Sequence, residues 1–412
     1  MFPPTSPSSG IRPGPSTRSP SMSLAESLIQ FDRVVRSLRE QPNVSAASTA
    51  AAIEAVNSIF LLAPSSFLGQ TFTKTLVHQL LGAGKKVILV DDTIAAPPSD
   101  LRECALVSTA AFRSERRHAA LAINLANTTF VHEFFEAAAT EAGVSTLDIL
   151  PVLHTFDLPV IYQTAGVMRA ATLARLDDYV GLSRQFNDPL SVLTLAALLK
   201  MRVNIDRNAV LQVLCSLEDE YFSPYPLGKD VTFELGSGEI FCDVGAHVGN
   251  TVRKFLTATH WKYAAIYAFE PDASNYRKLT ELTFKNLANF CPKNIALSDV
   301  RSRLSFAETG TMGSRLDEGG NVQVQASTLD DEVPHATFIK MDVEGHETKI
   351  LQGARRLISQ SKPRLSITGY HYADDLLNIA QLIREIEPRY RLRLRHHSFY
   401  YYDTILYADV PQ

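Results

Sequence analysis

Asp243, Gly245, Gly249 and Glu270 have the residue types and spacing of a nucleoside pocket. In Ile240-Phe-Cys-Asp243-Val-Gly245-Ala-His247-Val-Gly249-Asn250 an apolar run suited to a buried parallel strand ends in an acid and a glycine turn. Gly245 and Gly249 let the backbone bend sharply and approach a ligand without side-chain obstruction. About twenty residues further on, Tyr267-Ala-Phe-Glu270-Pro271-Asp272 reads as a second strand ending in an acid, placed to accept hydrogen bonds from ribose hydroxyls. The turn is not the three-glycine pyrophosphate loop, because Asp243, His247 and Val248 leave little bare backbone for a diphosphate. It fits a cofactor with one adenosine and no phosphate. S-adenosylmethionine is such a cofactor, and its cationic sulfonium and amino groups are drawn to acids at strand ends.

A second dense constellation is Phe338-Ile-Lys340-Met-Asp342-Val-Glu344-Gly345-His346-Glu347. Strand alternation puts Phe338, Lys340 and Asp342 on one side, near the carboxyl end where ligands of doubly wound sheets sit. Lys340, Asp342 and Glu344 could orient the methionine part of the cofactor, receive a proton from an attacking hydroxyl, or bind a divalent cation through oxygen. The same acids also suit an ion pair and the positive end of the following helix, and no spacing indicates a metal. His371, ending the predicted strand Ile367-Thr-Gly-Tyr370-His371, borders the same crevice in this reading and is a candidate general base. Asp299, after Ala296-Leu-Ser298, ends a third strand and could meet the adenine amino group, or simply cap a turn. His396 and His397 are neighbours on a strand, face opposite ways, and make an improbable metal site.

These residues need a framework, and the pattern along the chain predicts an α/β protein of several parts. Residues 1–22 are Pro- and Ser-rich, without the apolar core of a secretory signal, and are expected to be disordered. Residues 23–158 read as two helices followed by a Rossmann-like unit: strand 59–62, turn 63–69, helix 71–81, strand 85–92, and further strands near 104–108, 120–124 and 147–150, with helix 131–142 between the last two. Its turn keeps one glycine where dinucleotide binders need several, so the unit is degenerate. Residues 159–230 form a helical connector, with an apolar helix over 192–201 announced by Asn187-Asp188-Pro189, and an aromatic lid at Tyr221-Phe-Ser-Pro-Tyr225. Residues 231–412 alternate strands and helices as a seven-stranded Rossmann-like sheet with an antiparallel end, including a helix over 274–290 and a strand over 295–299.

The 412 residues carry a formal net charge of -4 and no run of Lys and Arg interleaved with aromatics, which argues against nucleic acid as a partner. No stretch approaches the roughly eighteen apolar residues of a membrane span. Cys104, Cys215, Cys242 and Cys291 are widely separated, with neither metal-ligand nor redox spacing, as in a reducing, cytoplasmic setting. A homo-oligomer is compatible with this composition.

In this order, the motifs resemble the FkbM-type methyltransferase family. The matching pieces are Asp243-Val-Gly-Ala-His-Val-Gly249-Asn250, Phe269-Glu-Pro-Asp272, Ala296-Leu-Ser-Asp299, Ser327-Thr-Leu-Asp330-Asp331 and Ile339-Lys-Met-Asp-Val-Glu-Gly-His-Glu347 with Ile350-Leu-Gln-Gly353, over residues 231–408. The resemblance implies methyl transfer from S-adenosylmethionine to a hydroxyl of a sugar, polysaccharide precursor or natural product. By position, Asp243, Gly245, His247, Gly249 and Asn250 shape the cofactor turn, Glu270 with Pro271 holds the ribose, Asp299 lies near adenine, and Lys340, Asp342 and Glu344 face the reacting centre. The family often places an acid where this chain has Thr368-Gly-Tyr-His371, leaving His371 or Asp342 as the base. Two other readings stand beside this one: a non-catalytic cofactor-binding protein, and a nucleotide-sugar or nicotinamide enzyme working through the N-terminal unit. The glycines missing between Ala63 and Gly69 count against the latter.

Overall fold

The computed structural model describes residues 22–40, 46–66, 71–115, 119–224, 232–281, 287–309 and 313–411. Residues 1–21 of the expected N-terminal tail, the end of the 63–69 turn and Tyr225 of the expected lid lie outside these residues.

Short apolar segments build the first sheet: Ser58–Leu62 (β1), Lys86–Val90 (β2), Ala105–Val107 (β3), Ala120–Asn124 (β4) and Ser145–Asp148 (β5). They pair in parallel in the order β3-β2-β1-β4-β5, and the central strands are buried nearly throughout, as a parallel sheet covered on both faces requires. The strand expected over 147–150 stops at Asp148, whose carboxylate accepts from Leu150 N at 2.8 Å and starts a helix instead. The connector helix Pro189–Asn204 begins where its start signal lies, with Asp188 accepting from Ser191 N at 2.9 Å and proline in the first turn. It is buried on most sides, packing on the first helix, Leu24–Glu40, and on the second sheet.

That second sheet uses Ile240–Val244 (β6), Ala265–Phe269 (β7) and Phe290–Lys293 (β8). A small sheet follows from Ala296–Leu297 (β9), Ser302–Ala307 (β10), Arg315–Leu316 (β11) and Val322–Ser327 (β12). The main sheet then resumes with Phe338–Met341 (β13), Arg364–Thr368 (β14), Arg391–His396 (β15) and Thr404–Asp409 (β16). Its order is β15-β16-β14-β13-β6-β7-β8, with β16 antiparallel to both neighbours. Two local expectations fail here. The helix expected over 274–290 is described over Ala273–Glu281, residues 282–286 lie outside the described residues, and in place of its expected end Phe290 begins a strand that holds Pro292, tolerated because β8 is the sheet edge. The strand expected over 295–299 is only β9, and it joins β12 in the small sheet.

The connector ties the two sheets together at the end where β14 and β15 deliver their loops. Arg202, almost fully buried, donates to Tyr179 Oη and Ala373 O, both at 3.2 Å, while Tyr179 Oη donates to Ala373 O at 2.9 Å. Arg207 pairs with Asp148 at 3.1 Å and lies 4.4 Å over the Phe399 ring. Among the described residues, no helix is long and apolar enough to cross a membrane.

Candidate active site

Parallel pairing of β6 with β13 sets Asp243 beside Lys340. Both are buried, and Lys340 Nζ lies 3.1 Å from Asp243 Oδ1 and donates to Gly245 O at 2.7 Å. Burial opposes the charge on Lys340, but the negative charges of Asp243 and Asp342 outweigh it and hold the ammonium above its ordinary range. Lys340 thus fastens the β6 turn from beneath. Gly245 completes the interlock: its φ is 79°, and a Cβ there would stand 1.9 Å from Asp342 O. The exits of β6 and β13 are therefore in backbone contact, and Asp342 N donates to Val244 O at 3.1 Å.

Glu270 ends β7 beside this turn. Its Oε2 accepts from His247 N at 2.7 Å and its Oε1 from Asp272 N at 2.9 Å. Each oxygen keeps capacity for one further donor. Pro271 contributes a carbonyl that accepts from Asn294 Nδ2 at 3.0 Å, and the Asn250 side chain accepts from Arg253 at 3.0 Å. Burial pushes the Glu270 carboxyl up to about 7, against the two N–H donors. A ribose hydroxyl donates best to the ionised form, so under the ribose contact expected for Glu270 affinity for S-adenosylhomocysteine should rise about tenfold from pH 6 to pH 8 as the carboxyl ionises. Calorimetric titration across that range checks this, and the slope should vanish in Glu270→Gln; an equal slope in the variant would assign it to another group.

Asp299 makes local contacts. Its carboxylate pairs with Lys349 at 3.0 Å and accepts from Ser298 Oγ at 3.0 Å, at the end of β9 rather than of a main-sheet strand. In the N-terminal sheet, Asp91 holds the place after β2 that Glu270 holds after β7. Its oxygens already accept from Ser65 N, Thr93 N and Thr93 Oγ1 at 2.6–2.9 Å, so the protein itself occupies that turn.

The carboxyl ends of β13 and β14 carry the second cluster. Asp342 Oδ2 accepts from Tyr221 Oη at 2.8 Å, and its Oδ1 lies 3.5 Å from His371 Nε2. Glu344, with a left-handed φ of 59°, accepts from Tyr162 Oη and lies 3.3 Å from the same ring nitrogen. Glu347 Oε1 lies 3.3 Å from His371 Nδ1 while accepting from Val343 N and Thr368 Oγ1, each at 3.0 Å. His371, expected at the crevice border, is 0% exposed. Burial disfavours its charge, yet Glu347 and then Glu344 and Asp342 outweigh burial and raise its pKa well above the ordinary value. The three carboxylates thus favour the protonated ring over the neutral one. Tyr221 is equally fixed: its backbone N–H donates to Tyr407 Oη at 3.0 Å and its carbonyl accepts from Ser366 Oγ at 2.7 Å, so this end of the expected lid is a wall.

Glu347, Tyr162 and Thr368 join the cluster without having been singled out from the sequence. Glu347 lay inside the quoted motif but read as a helix-terminus acid, and Tyr162 arrives from the connector with no spacing signal. The broad groove of 710 Å³ lined by Arg175, Asp178, Leu182, Leu377 and Arg384 contains none of the site residues.

From the turn that opens at Asp243 to Leu392 on β15, the chain matches the methyltransferase FkbM domain. Residues 243–392 are an FkbM methyltransferase domain. Over 162 residues the chain is 25% identical to the hexuronic acid methyltransferase AglP of Haloferax volcanii, a match that covers 37% of this chain and 64% of that relative's length. The fold as a whole is similar to the crystal structure of a methyltransferase FkbM from Methylobacillus flagellatus KT, with a TM-score of 0.71 and 22% identity, over 93% of this chain and 100% of that one. Lys340, Asp342, Glu344, Glu347 and His371 all fall within the FkbM domain, whereas Tyr162 and Tyr221, which bind two of its acids, come from the connector before it.

Proposed function

We propose that the protein is an S-adenosylmethionine-dependent O-methyltransferase whose acceptor is a carbohydrate hydroxyl. The observation that carries this reading is the convergence of the Asp243–Gly249 turn, Glu270 and Asp342 at the carboxyl ends of β6, β7 and β13 within an FkbM domain. The residues suit the cofactor: Glu270 has lone pairs left for ribose hydroxyls, and Asp342 and Glu344 supply negative charge for a sulfonium. When bound, S-adenosylmethionine supplies an electrophilic methyl carbon on a cationic sulfur.

The chain's own residues position and deprotonate the acceptor. Asp342, its carboxylate steadied by Tyr221, receives the acceptor's hydroxyl proton, while Lys340 keeps the cofactor turn in register beneath it. The neighbouring rings of Tyr162 and Tyr372, with the Arg315 guanidinium 4.6 Å over the Tyr162 centroid, suit a sugar face bearing an acidic group. The Haloferax volcanii relative is a hexuronic acid methyltransferase, and acidic sugars are accordingly the first acceptors to test.

The test is transfer of labelled methyl from S-adenosylmethionine to a panel of neutral and acidic sugars, alongside calorimetry with S-adenosylhomocysteine. Binding by the intact protein, its loss in Glu270→Ala, and label on an acidic sugar are the expected results. An intact protein that does not bind S-adenosylhomocysteine would remove the reading altogether.

A further inference from the structure

Around His371 the carboxylates of Asp342, Glu344 and Glu347 converge. The contacts of 3.3–3.5 Å are longer than the roughly 2.7–2.9 Å of charge-assisted hydrogen bonds. Neither ring nitrogen of His371 makes a well-formed hydrogen bond, and neither do Asp342 Oδ1 and Glu347 Oε2, although all four atoms are buried. His371 and Glu347 are 0% and 1% exposed, so water does not serve them from bulk. Buried polar atoms of this kind ordinarily have partners, and here four belong to three residues of one cluster.

We infer that Asp342, Glu347 and His371 hold a divalent first-row metal ion beside the acceptor site. One donor atom from each residue lies within 4.8 Å of the other two, close enough to share one ion after small side-chain shifts. The donor set is one imidazole with two carboxylates, a mixed nitrogen and oxygen set that suits Mn2+ and its neighbours better than Ca2+. Glu347 is already braced for the task, since Oε1 is engaged by Val343 N and Thr368 Oγ1 and Oε2 is left over. Lys340 cannot substitute for the ion, because its ammonium is taken by Asp243 and Gly245 O. Asp342 can face the ion with Oδ1 and keep Oδ2, held by Tyr221, towards the acceptor hydroxyl. The placement beside an acceptor rests on the methyltransferase reading; the binding of the ion does not.

The full-length protein, stripped of metal, is titrated with Mn2+ while the free-ion signal is followed by electron paramagnetic resonance. Saturable binding of one Mn2+ per chain is expected, weakened at least about tenfold in Asp342→Asn and in His371→Gln. Asp342→Asn is isosteric, and its unfolding curve without metal shows whether it is folded, so a misfolded His371→Gln does not blunt the test. Absence of binding by the wild type, or undiminished binding by folded Asp342→Asn, overturns the inference. S-adenosylhomocysteine binding is measured on the same sample. Its retention without Mn2+ binding would overturn the metal site alone, and Mn2+ binding without it would uphold the metal site while the methyltransferase reading fails.

Discussion

Lys340→Met is expected to lower the unfolding free energy by about 3–5 kcal/mol, the usual cost of removing one partner from a buried ion pair. The lysine is 3% exposed and Asp243 is 0% exposed, so the carboxylate left behind would face neither a cation nor water. Gly245 O would lose its donor as well, at the point where the β6 turn presses against Asp342 O. Urea unfolding followed by circular dichroism reads this directly, and each kcal/mol should appear as roughly 2–4 °C in thermal midpoint for a chain of this size. The double variant Lys340→Met/Asp243→Asn should recover much of the loss, because no uncompensated charge remains. A single variant within about 1 kcal/mol of wild type would mean that the pair does not hold the turn, and Lys340 would return to consideration as a group acting on the substrate.

The contrast between what was and was not legible follows the range of the forces involved. The β6 turn and the β13 exit could be read because their signals are local: glycine where a left-handed φ is needed, an acid one or two residues away, and apolar residues before it. The five-stranded N-terminal sheet was legible for the same reason, each strand being a short apolar run between turn residues. What the sequence does not carry is which side chain ends up facing which. Lys340 read as a site residue because of its position on the strand, yet its partner is fixed by pairing of β13 with β6, a contact between distant segments. His371 read as a crevice residue because it ends a strand, but the loop after β14 folds under the connector, where Arg202 and Tyr179 grip Ala373 O, and the ring is drawn inward among the acids. The strand before Asp299 was misplaced by one sheet, since a two-residue strand leaves too little pattern to say whether it joins β7 or β12. Tyr162 and Tyr221, which set the hydrogen bonding of Glu344 and Asp342, lie outside the FkbM domain; Tyr162 carries no motif, and Tyr221 read as part of an aromatic lid.

Asp342→Asn should lower kcat by about 10²–10⁴-fold, the range for loss of a positioned general base. The substitution keeps the size of the side chain and leaves an amide oxygen that can still accept from Tyr221 Oη, so the wall of the site should persist. The amide, however, cannot take a proton from the acceptor. Because Glu270 and the β6 turn are untouched, affinity for S-adenosylhomocysteine should stay within a few-fold of wild type, in contrast to Glu270→Ala, where binding itself is expected to fail. The same residue lies at 3.5 Å from His371 in the inferred metal cluster, so raising Mn2+ to concentrations that saturate the wild type should not restore turnover. Single-turnover and steady-state rates at saturating acceptor separate these effects. A loss confined to KM would make Asp342 a binding group and pass the proton to Glu344, whose carboxylate lies 3.3 Å from the same imidazole nitrogen. A variant with both kcat and KM unchanged would end the assignment of the β13 exit as the reacting centre, whatever the cofactor turn binds.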